Sequence, residues 1–458
     1  MNISQIVQEQ KTYFASQQTK DISNRKKLLK SLLSEIIKRE KDIVNALYAD
    51  FKKSEYESVM TETSIVISEL KRTIKNINAW AKPQSVLPAF LNFPSSSKIY
   101  KEPYGIVLVI SPWNYPYQLA FVPLIGAIAA GNTVVVKPSE LTPNTSKITK
   151  EIIESVFDKN LASVVEGGVD VSTELLQQRW DYIFFTGSVS VGKIVAKAAA
   201  QFLTPVTLEL GGKNPCIIDE TANIKLAAKR IVWGKLINGG QTCIAPDYLL
   251  IHASVKDKFV NYYQKEVTKA YGDNPENSKD YPRIVNQRNF DRLASMLENE
   301  TFLVGGKTNR EDNYISPTLI DEPSLDSEVM KSEIFGPISP VISYRNEEEI
   351  ERIIYNYEKP LALYVFSGNK KFANKMIAKY SFGGGTINDT TVHFANHNLP
   401  FGGVGESGIG SYHGKQTFNL FSHKKGVTKR YNWLDLPMRY APYKGKLKTL
   451  KTFMKLFS

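Results

Sequence analysis

A cysteine and a glutamate are the side chains best placed to do covalent chemistry. Cys243 ends the run Asn238-Gly239-Gly240-Gln241-Thr242-Cys243, whose glycines let a substrate approach the sulfur closely. Glu209 ends an apolar run and precedes Gly211 and Gly212. A thiol of ordinary pKa is mostly protonated at neutral pH, so a nucleophilic cysteine needs a site that activates it. Without its neighbouring motifs, a cysteine such as Cys243 is more often a buried structural residue than a nucleophile.

A second candidate site lies where an apolar strand runs into a helix, at Phe184-Phe185-Thr186-Gly187-Ser188. The free N–H groups and the positive dipole end of such a helix suit a pyrophosphate, with a tight structural turn as the alternative. Ile194 stands where a phosphate loop needs Ser or Thr for magnesium, which argues against a nucleoside triphosphatase. The glycines of Gly403–Gly408 fit a dinucleotide fingerprint, but no strand precedes them, so we interpret them as a turn.

Other polar side chains follow predicted strands. Asn114 follows the first strand, and Lys137 and Glu140 follow the second. Ligands bind at the carboxyl ends of strands in doubly wound sheets, so these groups could face a site, although turn and surface roles are simpler. His393 and His397 are four residues apart, but the loop signals around them lead us to predict no metal site.

The elements that would position these residues alternate from about residue 105. Short β-branched runs predict strands at Ile106–Ile110, Thr133–Val136, Ser163–Val165, Tyr182–Phe185 and Pro205–Leu208. Helical patterns separate them, at Pro116–Ala130, Thr145–Phe157, Thr173–Gln178 and Ser188–Gln201. This alternation is typical of a doubly wound parallel sheet. A second alternating region runs to about Thr386, with strands predicted at Cys216–Ile218, Tyr248–His252 and Ala362–Phe366. An extended arm or hairpin is predicted at Leu91–Tyr100.

Taken together, the motifs are specific. Phe185–Ser188, Glu209–Lys213, Gly240–Cys243, Glu333–Pro337 and Leu399–Gly408 resemble, in this order, the signature set of the aldehyde dehydrogenase superfamily. The early start of the match and the run Arg439–Tyr443 resemble the class 3, fatty or aromatic aldehyde branch, which usually has Pro where Ala441 stands. The resemblance implies an α/β fold with a Rossmann-like cofactor domain, an α/β catalytic domain and a small oligomerisation arm.

The resemblance also assigns roles to residues. Cys243 would attack the aldehyde carbonyl, while the amide of Asn114 and the N–H of Cys243 would hold the oxyanion. Oxidation would leave a thioester, and Glu209 would activate the water that hydrolyses it. Lys137 would bind the adenosine ribose and Glu333 the nicotinamide ribose. The remaining implied positions are Gly187, Ser188 and Gly192 at the pyrophosphate, Phe335 at the cofactor and Asn388 at the substrate pocket.

The cofactor and the domain bounds follow from the same resemblance. Glu140 can accept the 2′-hydroxyl of the adenosine ribose and repel a 2′-phosphate, which favours NAD, with NADP as the alternative. We expect a cofactor domain over residues 1–81 and 102–209 and a catalytic domain over 210–395. A bridging arm is expected at 82–101 and 396–423, followed by a basic tail at 424–458. Class 3 relatives are homodimers, which predicts a homodimer.

Composition and charge narrow the remaining questions. The chain has 458 residues, 42% of them hydrophobic and 23% charged, which is typical of a globular protein. Its net charge is +12, but ten Lys or Arg and one Asp give residues 424–458 a charge of +9. The body is therefore nearly neutral, and we predict no nucleic-acid binding. Two cysteines and a polar start without the apolar core of a secretory signal predict a cytoplasmic protein.

The tail leaves two interpretations open. Leu447, Leu450, Met454 and Phe457 recur at helical spacing with lysines between them, which predicts a basic amphipathic helix over Lys446–Phe457. At about 18 Å it is too short to cross a bilayer. Its apolar face could pack on the protein or lie weakly on an anionic membrane surface.

Two rival functions remain at this point. One is a non-catalytic protein on the same fold that binds anions or membranes through its tail. The other is an acylating dehydrogenase that passes the thioester to coenzyme A. Cys243 and Glu209 together argue against the first, and Glu209 argues against the second, because acylating relatives usually lack that carboxylate.

Overall fold

The structure is a computed structural model that describes residues 2–89 and 92–457. The helices are α1 Ile3–Ala15, α2 Ile22–Lys38, α3 Glu40–Phe51, α4 Glu55–Ser58, α5 Ser64–Ala81, α6 Gln118–Ala130, α7 Pro143–Val156, α8 Val169–Leu176, α9 Val189–Ala200, α10 Ile224–Leu236, α11 Lys256–Tyr271, α12 Gln287–Ser295, α13 Glu328–Lys331, α14 Glu347–Ile354, α15 Lys370–Lys379, α16 Lys415–Leu420 and α17 Leu447–Phe457. The strands are β1 Gln84–Val86, β2 Ser95–Pro103, β3 Ile106–Ile110, β4 Thr133–Lys137, β5 Ala162–Val164, β6 Tyr182–Thr186, β7 Val206–Glu209, β8 Pro215–Ile218, β9 Tyr248–His252, β10 Phe302–Val304, β11 Thr308–Asn309, β12 Tyr314–Ile315, β13 Thr318–Asp321, β14 Ile338–Tyr344, β15 Ala362–Phe366, β16 Gly384–Ile387, β17 Gly408–Ile409 and β18 Ser422–Arg430.

The first large sheet forms the predicted cofactor domain. Its strand order is β17-β7-β6-β3-β4-β5, and all pairs are parallel except β17 with β7. Strands β3 and β4 are buried at every residue because helices cover both faces, and apart from Thr133 and Lys137 at the ends of β4 their residues are apolar. The strand order reverses between β3 and β6, so the loops that follow these two strands flank the crevice where a ligand binds.

The second large sheet forms the catalytic domain. Its order is β10-β13-β14-β9-β8-β15-β16, and only β10 runs antiparallel to its neighbour. The three strands predicted here are confirmed as β8, β9 and β15. Strands β10, β13, β14 and β16 were missed; Pro340 interrupts the apolar pattern of β14, and two glycines interrupt that of β16.

The arm is a three-stranded antiparallel sheet in the order β1-β2-β18. The extended arm or hairpin predicted at Leu91–Tyr100 corresponds to β2, which forms a hairpin with β1 before the predicted segment; Leu91 lies outside the described residues. The predicted division at residue 423 is wrong, because it falls inside β18, which pairs with β2 from Ser422 to Arg430. Part of segment 396–423 belongs to the cofactor sheet instead, since β17 pairs with β7.

The predicted amphipathic helix near the end of the chain is confirmed as α17. Three of the predicted apolar residues are exposed: Leu447, Leu450 and Met454 are 62%, 39% and 58% exposed. The side chain of Phe457, the fourth residue of the predicted stripe, lies outside the described ones. Within the described part of the chain, every helix is too short or too polar to span a membrane.

Candidate active site

The two large sheets meet at a cavity of about 250 Å³ that Cys243 and Glu209 both line. Glu209 and Thr186 are register partners at the carboxyl ends of β7 and β6. Cys243 lies in the loop before β9, so it enters from the catalytic domain. The structure therefore brings the predicted nucleophile and base into one site. The walls are mostly apolar and include Met60, Ile65, Leu119, Trp233, Ile237, Ile244, Val392, Phe394, Phe401 and Tyr412.

The loop before Cys243 has an unusual backbone. Asn238, Gly239 and Gly240 all have positive φ, at 55°, 62° and 76°. A Cβ on Gly240 would lie 2.3 Å from the carbonyl oxygen of Gly336, so only glycine fits there. The Gln241 side chain donates to the carbonyl of Asn238 and accepts from an N–H at Val285 (2.9 and 3.0 Å). These contacts give the nucleophile a fixed position.

The electrostatics at Cys243 favour the neutral thiol. Burial is the main cause of its raised pKa, and the charges of Glu333 and Glu209 add to it. No cation contributes to the shift, in contrast to cysteines that are activated by a neighbouring Lys, Arg or His. Attack on a substrate therefore requires a base, and the two carboxylates whose charges act on the thiol are the groups that could take its proton.

Glu209 is a buried carboxyl without protein partners. The residue is 3% exposed, and neither carboxyl oxygen has a hydrogen-bond partner in the described structure. Burial raises its pKa well above the usual value. A carboxylate with a raised pKa is a stronger base, and oxygens that no protein group occupies can accept from a water. The geometry suits general-base chemistry.

Asn114 lies beside the Cys243 loop, as the oxyanion role requires. Its Nδ2 donates to the carbonyl of Gln241 at 3.0 Å, and its own carbonyl accepts from Nδ2 of Asn238 at 2.8 Å. A side-chain amide has two N–H groups, so one remains for a substrate oxygen. Asn114 is only 3% exposed, which keeps this donor out of bulk water.

The predicted pyrophosphate site lies at the N-terminus of α9. Gly187 joins β6 to this helix, and Ser188 is its N-cap, accepting from the N–H of Val191 at 3.4 Å. Gly192 has a different place from the one expected: it is buried, and a Cβ there would lie 2.7 Å from Leu210. We therefore correct its role, since it permits close packing of α9 instead of lining an anion site.

Lys137 and Glu140 bind each other at the end of β4. Lys137 Nζ donates to Glu140 Oε2 at 2.7 Å, with the lysine buried and the glutamate 42% exposed. Partial burial would raise the pKa of Glu140, but hydrogen bonds from Lys137 and from backbone hold it below the usual value. Both groups lie where a ribose hydroxyl could share them.

Glu333 reaches the active site from the catalytic domain. Its carboxylate lies over Gly211, where a Cβ would come within 2.2 Å of Oε2. Burial first, and then the charge of Asp247, raise its pKa to about 8. Phe335 has a φ of 56° and packs edge-on against Trp113, with 5.3 Å between ring centroids.

These positions fit a nicotinamide dinucleotide. Thr186 Oγ1 and Glu333 Oε1 are buried oxygens with no hydrogen-bond partner in the described structure, which suits bound hydroxyl or amide groups. Ser188 at the helix N-terminus would hold the pyrophosphate, and the Lys137–Glu140 pair the adenosine ribose. The cofactor would occupy the crevice between β3 and β6.

Some expected residues lie elsewhere. Asn388 is not among the residues that line the cavity: its side chain holds the backbone of Ser367 through bonds of 2.8 and 3.0 Å. The Gly403–Gly408 run contains a short 3₁₀ turn, as interpreted from the sequence. Among the described side chains, no group of three His, Cys, Asp or Glu is arranged to hold a metal ion.

Several residues in or beneath the site were not predicted from the sequence. Tyr115 binds Thr242 through their hydroxyls at 2.6 Å, and Lys53, Glu57 and Glu62 are buried beneath the same loops. The only signal for Tyr115 was its closeness to Asn114 in the sequence. The three charged residues resemble ordinary surface residues of an amphipathic segment, so no pattern could have identified them.

Fold and site together fit an α/β enzyme with a dinucleotide cofactor, and comparison with known proteins identifies its family. The model of the Aldehyde dehydrogenase family matches residues 1–427. The chain is 48% identical to the 4,4'-diaponeurosporen-aldehyde dehydrogenase of Staphylococcus aureus, over 99% of both chains. It is 43% identical to the dog (Canis lupus familiaris) protein "Aldehyde dehydrogenase, dimeric NADP-preferring", over 97% of this chain and 99% of the relative.

A solved structure gives the same result. The substrate-bound state of Staphylococcus aureus AldH superposes with a TM-score of 0.97 at 48% identity, over 99% of this chain and all of the other. The chain therefore belongs to the aldehyde dehydrogenase family. It is an NAD(P)-dependent enzyme that oxidises aldehydes, which confirms the resemblance stated from the motifs.

Proposed function

We propose that Cys243 is the nucleophile of this oxidation and that Asn114 stabilises the oxyanion. The observation that carries the proposal is the cavity that Cys243 and Glu209 both line, together with the amide of Asn114, which is not itself a lining residue but donates to the carbonyl of Gln241, two residues before Cys243. Attack of the thiolate on the aldehyde carbon gives a thiohemiacetal whose oxygen accepts from the free N–H of Asn114. A bound nicotinamide ring supplies the two-electron oxidation.

The resulting thioester is hydrolysed with Glu209 as general base. Its two unpartnered carboxyl oxygens leave room for a water to donate, and the raised pKa makes the carboxylate basic enough to take the proton. The same observation favours hydrolysis over transfer to coenzyme A. A non-catalytic role is disfavoured, because an unpaired buried carboxyl is a cost that a purely structural site would not keep.

The substrate we propose is an aromatic or medium- to long-chain aliphatic aldehyde. Aromatic and aliphatic side chains such as Trp233, Phe394 and Phe401 form most of the cavity wall, and they favour an apolar tail. The S. aureus relative is named for an aldehyde of 4,4'-diaponeurosporene, which supports an apolar substrate.

A screen of NADH formation tests this proposal. Linear aldehydes of increasing length and benzaldehyde are compared by kcat/KM, and we expect the value to rise with chain length. About 0.8 kcal/mol per buried CH₂ corresponds to roughly fourfold for each added carbon until the cavity is full. A kcat/KM highest for acetaldehyde would contradict the proposed substrate class.

We propose NAD as the preferred cofactor. The proposal depends on Glu140, whose partly exposed carboxylate is kept charged by Lys137 and would repel a 2′-phosphate. Parallel titrations of NAD and NADP with one aldehyde test it. A higher kcat/KM for NADP would contradict it.

A homodimer is proposed from the edges of two sheets. Strand β18 pairs only with β2 among the described strands, and β16 is the last strand of the catalytic sheet. Such unpaired edges are joined by other chains or protected. The dog relative is described as dimeric, which supports the same state here. Sedimentation velocity of the full chain measures it, and a monomer at micromolar concentration would contradict it.

We further propose a cytoplasmic protein with weak peripheral contact to anionic membranes through α17. The support is the exposed apolar stripe of this helix and the lysines beside it, Lys448, Lys451 and Lys455. Each basic residue near such a surface contributes only about 1 kcal/mol, so binding should weaken with salt. Sedimentation with anionic vesicles compares the intact chain with one that ends at Tyr443. Equal pelleting of the two chains, or no pelleting at low salt, would contradict the proposed membrane contact of α17.

A further inference from the structure

Three charged side chains are buried together beneath the active site. Lys53 and Glu62 are fully buried and form an ion pair, with 3.1 Å between Nζ and Oε1, and Glu57 is 8% exposed. Glu57 belongs to α4, and Glu62 to the π-helical turn Val59–Thr63 that connects α4 to α5. π-Turns inside helices are frequent at functional sites. Met60 and Thr61 of the same turn line the cavity.

The Lys53–Glu62 pair supports the Asn114 side of the site. Glu62 Oε2 accepts from the N–H of Gln118 at 2.8 Å, at the start of α6. Lys53 Nζ lies 4.4 Å from the centre of the Tyr115 ring, and the hydroxyl of that tyrosine binds Thr242. The pair thus contacts the segment that follows Asn114.

Glu57 supports the Cys243 side. Its Oε1 accepts from the N–H of Asn238 at 2.6 Å, at the first of the three residues with positive φ. The side chain of Asn238 in turn donates to the carbonyls of Asn114 and Gln241 at 2.8 and 3.1 Å. Glu57 is therefore hydrogen-bonded directly to Asn238, the residue that contacts both Asn114 and the loop of Cys243.

The cluster holds two carboxyl groups and a single lysine. Burial raises the pKa of Glu57 to about 7, although the charge of Lys53 and the Asn238 N–H act in the opposite direction. The titratable groups that face Glu57 are Lys53, Glu62, Asp280, Tyr115 and Tyr271. Burial raises the pKa of Glu62 as well, but Glu62 is ion-paired with Lys53. Glu57 has no such ion pair in the described structure and is therefore the carboxyl that we expect to change its charge near neutral pH.

We propose that Glu57 is a positioning residue for the oxyanion site, which as a carboxylate holds the Asn238 turn and through it the amide of Asn114 and the carbonyl of Gln241. The inference rests on the proposed function of Cys243 and Asn114. Hydrogen bonds to a charged acceptor are roughly twice as strong as neutral ones, so the turn is held more tightly when Glu57 is ionised. Glu57 is not among the cavity-lining residues, so its effect belongs to kcat and not to KM.

Glu57→Gln tests the proposal, because it keeps an acceptor for Asn238 and removes the charge. We measure kcat and KM with NAD and a preferred aldehyde at several pH values. The ratio of wild-type to variant kcat should be roughly fivefold to tenfold above about pH 8 and approach one near pH 6, where Glu57 is neutral too. Taking the ratio cancels the titration of Cys243 and Glu209, and KM should remain nearly constant.

Glu40→Gln is the matched control. Glu40 accepts from the hydroxyl of Thr63 at 2.6 Å, at the other end of the same π-turn, and forms no hydrogen bond with Asn114 or Asn238 among the described residues. The ratio of wild-type to Glu40→Gln kcat should stay near one at every pH. A Glu57→Gln ratio that does not change with pH, or that matches the control, would overturn the proposal.

A second variant covers the case in which Glu57→Gln does not fold. Glu57→Asp keeps the charge, and a kcat within about threefold of the wild type at about pH 8.5 would support the proposal. A loss greater than about tenfold at both pH extremes would overturn it, because charge would then not be the relevant property. Failure of the proposed function would look different: Cys243→Ala would keep its turnover whatever Glu57 does.

Discussion

The loop that carries Cys243 and the helix at the end of the chain differ in how many contacts they make with the rest of the protein. In the loop, the Gln241 side chain alone makes three hydrogen bonds, to Asn238, Arg283 and Val285. In α17, Leu447 and Met454 are more than half exposed. Lys448, Lys451 and Lys455 form no ion pair within residues 2–89 and 92–457.

This contrast shows where each region finds its partners. The catalytic loop is positioned entirely by the chain itself, so it is ready before a substrate arrives. In α17 the described apolar side chains are exposed and the described lysines form no ion pair, which is the basis of the proposed contact outside the chain. Substitutions in the loop should therefore affect the reaction strongly, and changes in α17 should barely affect it.

The largest effect is expected at the nucleophile. Cys243→Ala removes the sulfur that forms the covalent intermediate and should lower kcat by at least about three orders of magnitude. NAD binding should stay nearly intact, because the thiol does not hold the cofactor. NADH fluorescence titration and steady-state turnover check the two parts.

Cys216→Ala is the control for that prediction. Cys216 is fully buried in β8, and burial alone raises the pKa of its thiol, so it is a core residue and not a nucleophile. Its replacement should change turnover little. Normal turnover in the Cys243 variant would contradict the mechanism.

A smaller but still large effect is expected at Glu209. Glu209→Gln should slow thioester hydrolysis by about 10²–10⁴, the usual contribution of a general base. Rapid mixing should then show a burst of NADH before a slow steady state. Because the pKa of Glu209 is raised, wild-type hydrolysis should rise with pH as the carboxyl ionises, and the variant should lose this rise. A slow steady state without a burst would place the defect before the thioester.

The sequence predicted the parts of the site that are encoded by local order. Glu209 and Cys243 are followed or preceded closely by Gly211 and Gly240. Each of these positions has room only for glycine, because a Cβ would clash with Glu333 or Gly336. The motifs therefore carry a physical signal. Strands β3, β4 and β6 were found because full burial makes nearly all of their residues apolar, with Thr or Lys only at the ends of β4 and β6. Strands β14 and β16 were missed because Pro340 and two glycines interrupt their apolar patterns.

Contacts between distant segments could not be predicted. Glu57 and Asn238 are 181 positions apart, and no sequence pattern in either segment predicts the hydrogen bond between them. Gly192 was assigned to the pyrophosphate from the family resemblance, whereas the structure places it against Leu210. Spacing identifies a helix start, but it does not tell which glycine faces the ligand and which faces the sheet.

A moderate effect is expected at Glu140, at the rim of the cofactor crevice. Glu140→Gln removes the charge that repels a 2′-phosphate and releases Lys137, which could then bind that phosphate. We expect the preference for NAD over NADP to fall roughly fivefold, since a partly exposed charge contributes about 1 kcal/mol. The kcat/KM values for the two cofactors measure it. Glu166→Gln, which removes a carboxylate paired with Lys150, is the control and should leave the preference unchanged.

The smallest effect on the reaction is expected from removing α17. A chain that ends at Tyr443 loses Lys446, whose Nζ donates to the carbonyls of Pro437 and Tyr440, and it loses α17, whose described side chains are exposed. Turnover of a water-soluble aldehyde should stay within about twofold, and the melting temperature should shift by no more than about 2 °C, as for a change worth less than about 1 kcal/mol. Thermal unfolding and steady-state kinetics without vesicles check this. A large loss of either would mean that α17 is held by the enzyme itself in solution, and the contrast between the two regions would then be wrong.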